Sequence, residues 1–480
     1  MNPLKRPLSI LLTLSTGLYL AYAAGEMSCT TSKENGIEVS DCPALHSCVH
    51  GFCLHKNIFP LTTREYVGTF LLTFISGLAN AGGLGGGALL SPILLILFNY
   101  SPNKAIMIVY SIVFGGSLGN FLNVAFQRNP VTGKSFVDYD LTLICMPLMI
   151  AGASVGVLLN RVFPPLLVLV GLVAVMVNTG KKVFEKAKKT YAAETNNNKQ
   201  QTQPLITKET PPGKQKGDLE LPVLINGRAQ NHIDDNEIPM SLELHAVLEE
   251  DKELFPREKL YIIGAMLIFS IFMMILRGSK NSESPIGIEY CETGYWIVFL
   301  LGIAGCYAFY RKGFQAVQKR LEIKRQYNYE AEDTGFGLTT DNVKKIGGLS
   351  IIAGVAAGLL GLGGGMIMSP FLLQLGMEPQ VLAATVGFFV VQTSFVTLFQ
   401  SFYVGDVTGK ETLFFMSVAF LGSIGVSMIL NYFIKKYKRP SIMLFALSSV
   451  ILLSLVVMPA FGVYKSIDNP QQMLVSNSIC

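Results

Sequence analysis

Apolar residues in this chain gather in long runs, at about residues 66–98, 104–126, 141–160, 164–180, 258–276, 294–310, 346–376, 380–402, 412–433 and 441–462. A run of about 20 apolar residues crosses the roughly 30 Å hydrocarbon layer as one helix. The pattern predicts an all-α polytopic membrane protein with about eight full crossings. The runs at 66–98 and 346–376 are longer than one upright crossing needs, so each either tilts strongly or folds back as two half-helices joined at its glycines. As a straight helix either would be about 50 Å long. Each is interrupted by a glycine cluster: Gly82-Gly83-Leu84-Gly85-Gly86-Gly87 before Ser91-Pro92, and Gly361-Leu362-Gly363-Gly364-Gly365 before Ser369-Pro370. A membrane chain breaks a helix only where protein or a cavity receives the freed backbone groups. Paired breaks in two halves of a chain mark a transporter's binding site.

Charge sets the expected topology. Basic runs flank apolar segments at Lys181, Lys182, Lys186, Lys188 and Lys189, at Arg311 to Arg325, and at Lys435 to Arg439. All three fall on the cytosolic side if both long runs enter and leave the same membrane face. The first glycine hairpin then dips in from outside and the second from inside. The chain thus reads as an inverted-repeat transporter with two Gly-rich broken or re-entrant helices. Its expected layout is a signal peptide (1–24), a Cys-rich extracytosolic head (25–65), an N-terminal repeat (66–180) and a largely disordered cytosolic linker (181–257). Two transmembrane helices (258–310), a basic cytosolic loop (311–345), a C-terminal repeat (346–463) and an extracytosolic tail (464–480) complete it. Apolar residues from Met240 to Leu254 are spaced for a helix lying on the membrane or on the bundle.

Composition narrows function. Half of the 480 residues are hydrophobic, 15% are charged and the net charge is +5. That charge is too small and scattered for nucleic acid. Lys5, Arg6, the apolar stretch Leu8–Leu20 and the small residues Ala21, Ala23 and Ala24 form a secretory signal pattern. It places the protein in a secretory-pathway membrane, plasma or vacuolar. Cys29, Cys42, Cys48 and Cys53 follow, and an oxidising compartment makes two disulfides the simplest reading. No metal site is assigned, although His46, His50 and His55 are interleaved. No nucleophile–base pair or cofactor fingerprint marks an enzyme, and no cofactor is expected.

The duplicated Gly-rich turns, each followed by Ser-Pro, then by Pro102 with Ala105 and Pro379 with Ala383, resemble the TauE/SafE family of sulfite and organosulfonate exporters. Gly152, Gly156, Gly422 and Gly425 fall where that family also places glycines. The resemblance covers about residues 60–180 and 258–463. It implies export of a small sulfur-containing anion, with the proton as a candidate co-substrate and lipid as the surrounding partner. An anion channel, or a receptor or sorting protein using the Cys-rich head, are the competing readings.

An anion crossing lipid needs oriented donors. Helix N-termini supply unpaired N–H groups, and glycines can curl them into a nest. The expected substrate-binding residues are Gly85, Gly86, Gly87, Ser91 and Asn120 in the first half, and Gly363, Gly364, Gly365, Ser369, Gln392 and Ser394 in the second. Close helix packing is the alternative use of the glycines. Interhelical bonding is the alternative for Asn120 and Gln392. No Asp, Glu or His lies inside an apolar run; Asp138, Asp140, Asp406 and Glu411 stand at edges. Either the substrate carries the proton, an edge carboxylate couples, or transport is passive. Lys104 and Arg161 border apolar runs and are expected to snorkel.

Overall fold

The computed structural model describes residues 31–34, 37–40, 46–49, 52–55, 58–100, 102–129, 133–162, parts of 170–195, 242–278, 283–327, 340–360, 364–404, 409–437, 439 and 441–468. The signal segment, Cys29, Cys42 and Gly363 lie outside them.

Two β-hairpins precede the helices. Strand β1 (Thr31–Glu34) pairs antiparallel with β2 (Ile37–Ser40), and β3 (His46–Val49) with β4 (Phe52–His55). Cys48 and Cys53 are opposed across the second hairpin. Cys291 is disulfide-bonded, while Cys145 and Cys306 are free and buried.

Helix α1 (Thr63–Ala81) starts at a capping box, where Glu65 Oε2 accepts the Thr62 N–H at 2.6 Å and the Thr62 hydroxyl at 2.8 Å. The glycine turn separates it from α2 (Gly87–Leu97). A methyl group added to Gly68 would meet Phe98, and Arg64 donates to the Ile96 carbonyl at 3.4 Å. The end of α2 therefore returns beside the start of α1, and the two form an antiparallel hairpin. Helices α3 (Pro102–Ala125) and α4 (Tyr139–Val162) follow. Described residues between 170 and 195 are helical.

The middle of the chain forms α5 (Leu242–Lys252), α6 (Arg257–Arg277) and α7 (Thr293–Gln326). The stretch expected as a loop from residue 311 continues α7 to Gln326. At 34 residues α7 is about 50 Å long, enough to leave the bilayer and carry its basic end beyond it. That end holds α5: Arg320 reaches Glu250 at 2.8 Å and Asp251 at 2.6 Å, and Lys324 reaches Asp251 at 2.6 Å. The end of the linker thus docks on the bundle.

The second half repeats the first. Helix α8 (Thr340–Leu360) breaks before α9 (Gly365–Gln374), and α10 (Pro379–Val404), α11 (Gly409–Tyr437) and α12 (Ser441–Asp468) follow. Both α2 and α9 carry Ser-Pro at their fifth and sixth residues. Packing is reciprocal: α1 lies on α11, and α8 on α4. Glycines make these crossings tight. A Cβ on Gly77 would stand 2.8 Å from the Gly422 carbonyl oxygen, and one on Gly152 would stand 2.5 Å from that of Ile351. Helices in lipid associate through such close packing, because burying apolar surface gains little there. Helix α3 fills the centre against α10 and α11, with Phe121 stacked on Phe388 at 4.8 Å and Phe114 against Phe395 at 5.6 Å.

Among the described residues, six helices are long and apolar enough to cross a membrane: Met107–Ala125, Tyr139–Gly156, Arg257–Arg277, Thr293–Gln326, Pro379–Phe399 and Gly409–Ile434. The chain is a polytopic integral membrane protein.

Candidate functional site

The first glycine turn needs its glycines for conformation. Gly83, Gly85 and Gly86 have φ of 73°, 75° and 75°, in the left-handed region. Gly83 N–H donates to the Asn80 carbonyl and Leu84 N–H to that of Ala79, each at 2.9 Å, closing the end of α1. Helix α2 then starts afresh, with the Leu89 N–H on the Gly86 carbonyl at 3.0 Å. As at any helix start, its first N–H groups have no intrahelical carbonyl to meet. In the second turn Gly364 is right-handed, with φ −65° and ψ −17°, and α9 starts at Gly365.

The two turns touch. A Cβ on Gly365 would lie 2.5 Å from the Gly83 oxygen and 2.5 Å from Val390 Cγ2. The Ser369 hydroxyl donates to the same Gly83 oxygen at 3.4 Å. A Cβ on Gly85 would lie 3.0 Å from Val390 Cγ1, so one valine side chain bears on both turns. The α10 face made by Ala383, Val386, Gly387 and Val390 thus runs along the junction. A Cβ on Gly83 would stand 3.1 Å from the Ala383 oxygen. Gly364 is different: its nearest neighbour is the methyl end of Met149 on α4.

Asn120 is committed to protein. Its Nδ2 donates to the Asn80 carbonyl at 2.9 Å, and its Oδ1 accepts the Ser427 hydroxyl at 2.7 Å. Asn80 in turn donates to the Ser76 carbonyl at 2.8 Å. This buried chain ties α1, α3 and α11 together directly behind the first turn. Ser91 and Ser394 donate to their own helices, at the Gly87 oxygen (3.3 Å) and the Val390 oxygen (2.5 Å).

Gln392 is only 3% exposed, and neither its Nε2 nor its Oε1 has a hydrogen-bond partner. Such an amide is costly to bury. It projects about 200° around α10 from Val390, away from the turn junction. Thr385, seven residues earlier, shares its face. Thr385 Oγ1 accepts the Asp138 backbone N–H at 3.0 Å. This bond sets Asp138, at the edge of its apolar run, level with Thr385, about 9 Å along α10 from Pro379. Thr385 itself falls between Ala383 and Gly387, the residues packed on Gly83. Lys104, expected to snorkel, instead pairs with Glu411 at 2.9 Å; their side chains are 25% and 7% exposed.

Gly83, Gly85, Gly365 and Ser369 are thus brought together, with Gly86, Gly87 and Gly364 adjoining them only along the chain, while Asn120 and Gln392 are set apart in different ways. Sequence reasoning passed over Val390 and Ser427. A valine inside an apolar run gives no signal. Ser427 becomes informative only once α11 is known to cross α3.

The sulfite exporter TauE/SafE family model matches residues 5–182 and 346–476. Each matched stretch contains one glycine turn, and the intervening α5, α6 and α7 lie outside the match. Three proteins of Arabidopsis thaliana named sulfite exporter TauE/SafE family proteins are similar. Protein 5 is 29% identical over 393 residues, covering 82% of each chain. Protein 2 is 29% identical over 418 residues, with 84% of each covered. Protein 1 is 29% identical over 416 residues, with 86% of this chain and 87% of its own covered. No solved structure matches. With both glycine-broken halves matched, this chain belongs to the sulfite exporter TauE/SafE family, whose members are membrane transporters and not enzymes.

Proposed function

We propose that this chain is a secondary transporter that exports small sulfur-containing anions, with sulfite and organosulfonates such as sulfoacetate as the substrate class. The observation that carries the reading is the approach of two helix starts, α2 and α9, to the single side chain of Val390. Two N-terminal partial charges at one place form an environment suited to an anion. The backbone N–H groups around Gly85, Gly86 and Gly87, with those around Gly363, Gly364 and Gly365, are the donors. Ser369 stands at their junction, while Gln392 lies on the opposite face of α10 and is left out of this site. Asn120 acts here as a brace for the first turn.

In this reading the halves are inverted repeats, with the hairpins entering from opposite faces and about eight helices crossing fully. The reciprocal packing of α1 on α11 and α8 on α4 supports that arrangement. Residues 181–257 and the basic end of α7 are cytosolic. The Cys-rich head is extracytosolic, and the membrane is a secretory-pathway one, plasma or vacuolar.

The test is flux from proteoliposomes loaded with labelled sulfite, sulfoacetate or taurine. Saturable counterflow supports the transporter. Flux without counterflow indicates a channel. Absence of flux for every anion returns the chain to the receptor reading.

A further inference from the structure

We propose that Asp138 is the proton-carrying group of this transporter, placed where the helix bearing on one glycine turn is joined to the helix bearing on the other. The inference rests on the transport reading above and identifies what drives it.

Two connections define the position. Asp138 caps the start of α4, with its Oδ1 accepting the Leu141 N–H at 2.9 Å. Further along α4, Met149 packs against Gly354 of α8 and against Gly364 of the second turn. In the other direction, the Asp138 N–H donates to Thr385 of α10, beside the Ala383 that contacts Gly83 of the first turn. The residue that carries this carboxyl is thus bonded between the supports of the two turns, by its backbone N–H to α10 and by its carboxylate to the start of α4.

The surroundings single this carboxyl out. Asp140, on the same helix, meets Lys259 of α6 at 2.8 Å and Arg320 of α7 at 3.6 Å. From α5, Glu250 meets Arg320 at 2.8 Å and Lys259 at 3.7 Å. Asp251, also from α5, meets Arg320, Lys324 and Lys134 at 2.6, 2.6 and 3.5 Å. Helix α10 presents Thr385 and no ionisable group to Asp138. Four carboxylates thus share four cations, yet among the described residues Asp138 alone of the four makes no ion pair. Burial first, and the neighbouring Asp140 second, push its carboxyl up to about 6; the Leu141 N–H bond and then Lys259 only partly offset them. Burial also disfavours the charge of Asp251, but Lys324, Arg320 and Lys134 outweigh it and hold that carboxyl below its ordinary value. In the transport cycle one O–H bond forms at Asp138 with a proton from water on one side. It breaks again on the other side, and the pH gradient supplies the free energy.

The experiment uses full-length protein in proteoliposomes and sulfoacetate, whose sulfonate stays ionised throughout and whose carboxylate is ionised above pH 6, so that the substrate carries no proton. Wild-type protein is expected to accumulate it against its gradient when a pH gradient is imposed. Asp138→Asn is expected to lose that accumulation while keeping counterflow at the wild-type rate. A merely structural role would reduce both together. Asp140→Asn, the control, is expected to keep accumulation. Accumulation that persists in Asp138→Asn overturns the inference and leaves the transport reading standing; absence of any flux in wild type overturns both. If Asp138→Asn does not reach the membrane, Asp138→Glu decides. A shift in the midpoint of the pH–rate profile supports the assignment, and an unmoved midpoint overturns it.

Discussion

Replacing Gly365 with alanine tests the junction of the two turns most directly. The added Cβ would stand 2.5 Å from the Gly83 oxygen and from Val390 Cγ2. A relaxed carbon–oxygen contact is about 3.3 Å or more, so the turns must part by roughly 0.8 Å. The obstacle on one side is backbone, and Ser369 also donates to that oxygen, so neither can swing aside cheaply. Overpacking of this kind costs about 1–3 kcal/mol. Replacing a helical glycine with alanine returns about 0.5–1 kcal/mol, leaving a net loss of about 0–2.5 kcal/mol. Gly364→Ala is the matched control: its φ of −65° suits any residue, and what it meets is the far end of one flexible side chain, the buried Met149, rather than backbone. It is expected to be neutral or slightly stabilising. Thermal unfolding of the purified protein reads the difference, at about 1 °C per kcal/mol for 480 residues, with counterflow measured on the same preparations. Wild-type stability and flux in Gly365→Ala, or greater damage from Gly364→Ala, would refute the contact as drawn.

Asn120→Leu removes both bonds of the brace and is expected to destabilise by about 1–3 kcal/mol, with Ser427→Ala milder in the same unfolding assay. Cysteines introduced by Glu185→Cys and Ala316→Cys, both at exposed helical positions, are expected to label from the cytosolic side only; labelling of residue 185 from outside refutes the re-entrant first hairpin. The folded-state pKa of Asp138 is raised, so its contribution to stability is fully present below about 3.8 and lost as pH rises through about 6. Asp138→Asn, an equally good helix cap, is therefore expected to unfold at higher temperature than wild type at pH 7, with the gap closing as pH falls through 6. Gln392→Leu is expected to hold or raise stability, because an orphaned amide is replaced by an apolar group, with KM unchanged because the side chain points away from the turn junction; a raised KM would return Gln392 to the site.

What the sequence made legible follows from how lipid constrains a chain. Length and apolarity marked candidate spanning helices, and 66–98 and 346–376 were too long for one upright crossing, leaving a strong tilt or a fold at the glycines. The structure breaks each at its glycines, between Ala81 and Gly87 and between Leu360 and Gly365. The purpose of each glycine was not legible. Gly83, Gly85 and Gly86 serve backbone conformation, Gly365 serves close approach, and Gly77 and Gly152 serve helix crossings. One letter covers all three uses, and only φ and the neighbour separate them. Asn120 and Gln392 looked equivalent for the same reason, since burial of an amide is readable and its partner is not. The bond from Asp138 to Thr385 was not legible, because sequence position at the edge of an apolar run does not reveal which helix a loop packs against. The continuation of α7 past residue 311 was hidden because its charged residues resemble a loop until α5 is seen pairing with them.

The reciprocal packing also bears on how such a site opens. The first hairpin is fastened to α11 through Gly77, Gly422 and the Asn120–Ser427 bond, which moves with α3. The second is fastened to α4 through Gly152, Gly354 and Met149. Between these two bodies, the turn junction is held by one 3.4 Å hydroxyl contact and the edge of Val390, with no ion pair among the residues named. Close-packed interfaces shift between discrete arrangements more readily than they deform. The weakest join in the molecule's centre therefore coincides with the convergence of two helix starts. Separating Gly83 from Gly365 would withdraw Val390 from between them and free space beside both N-termini, without disturbing either hairpin's own fastening. Substrate access and the contact between the turns are in this account one event, with α10 as the shared wall.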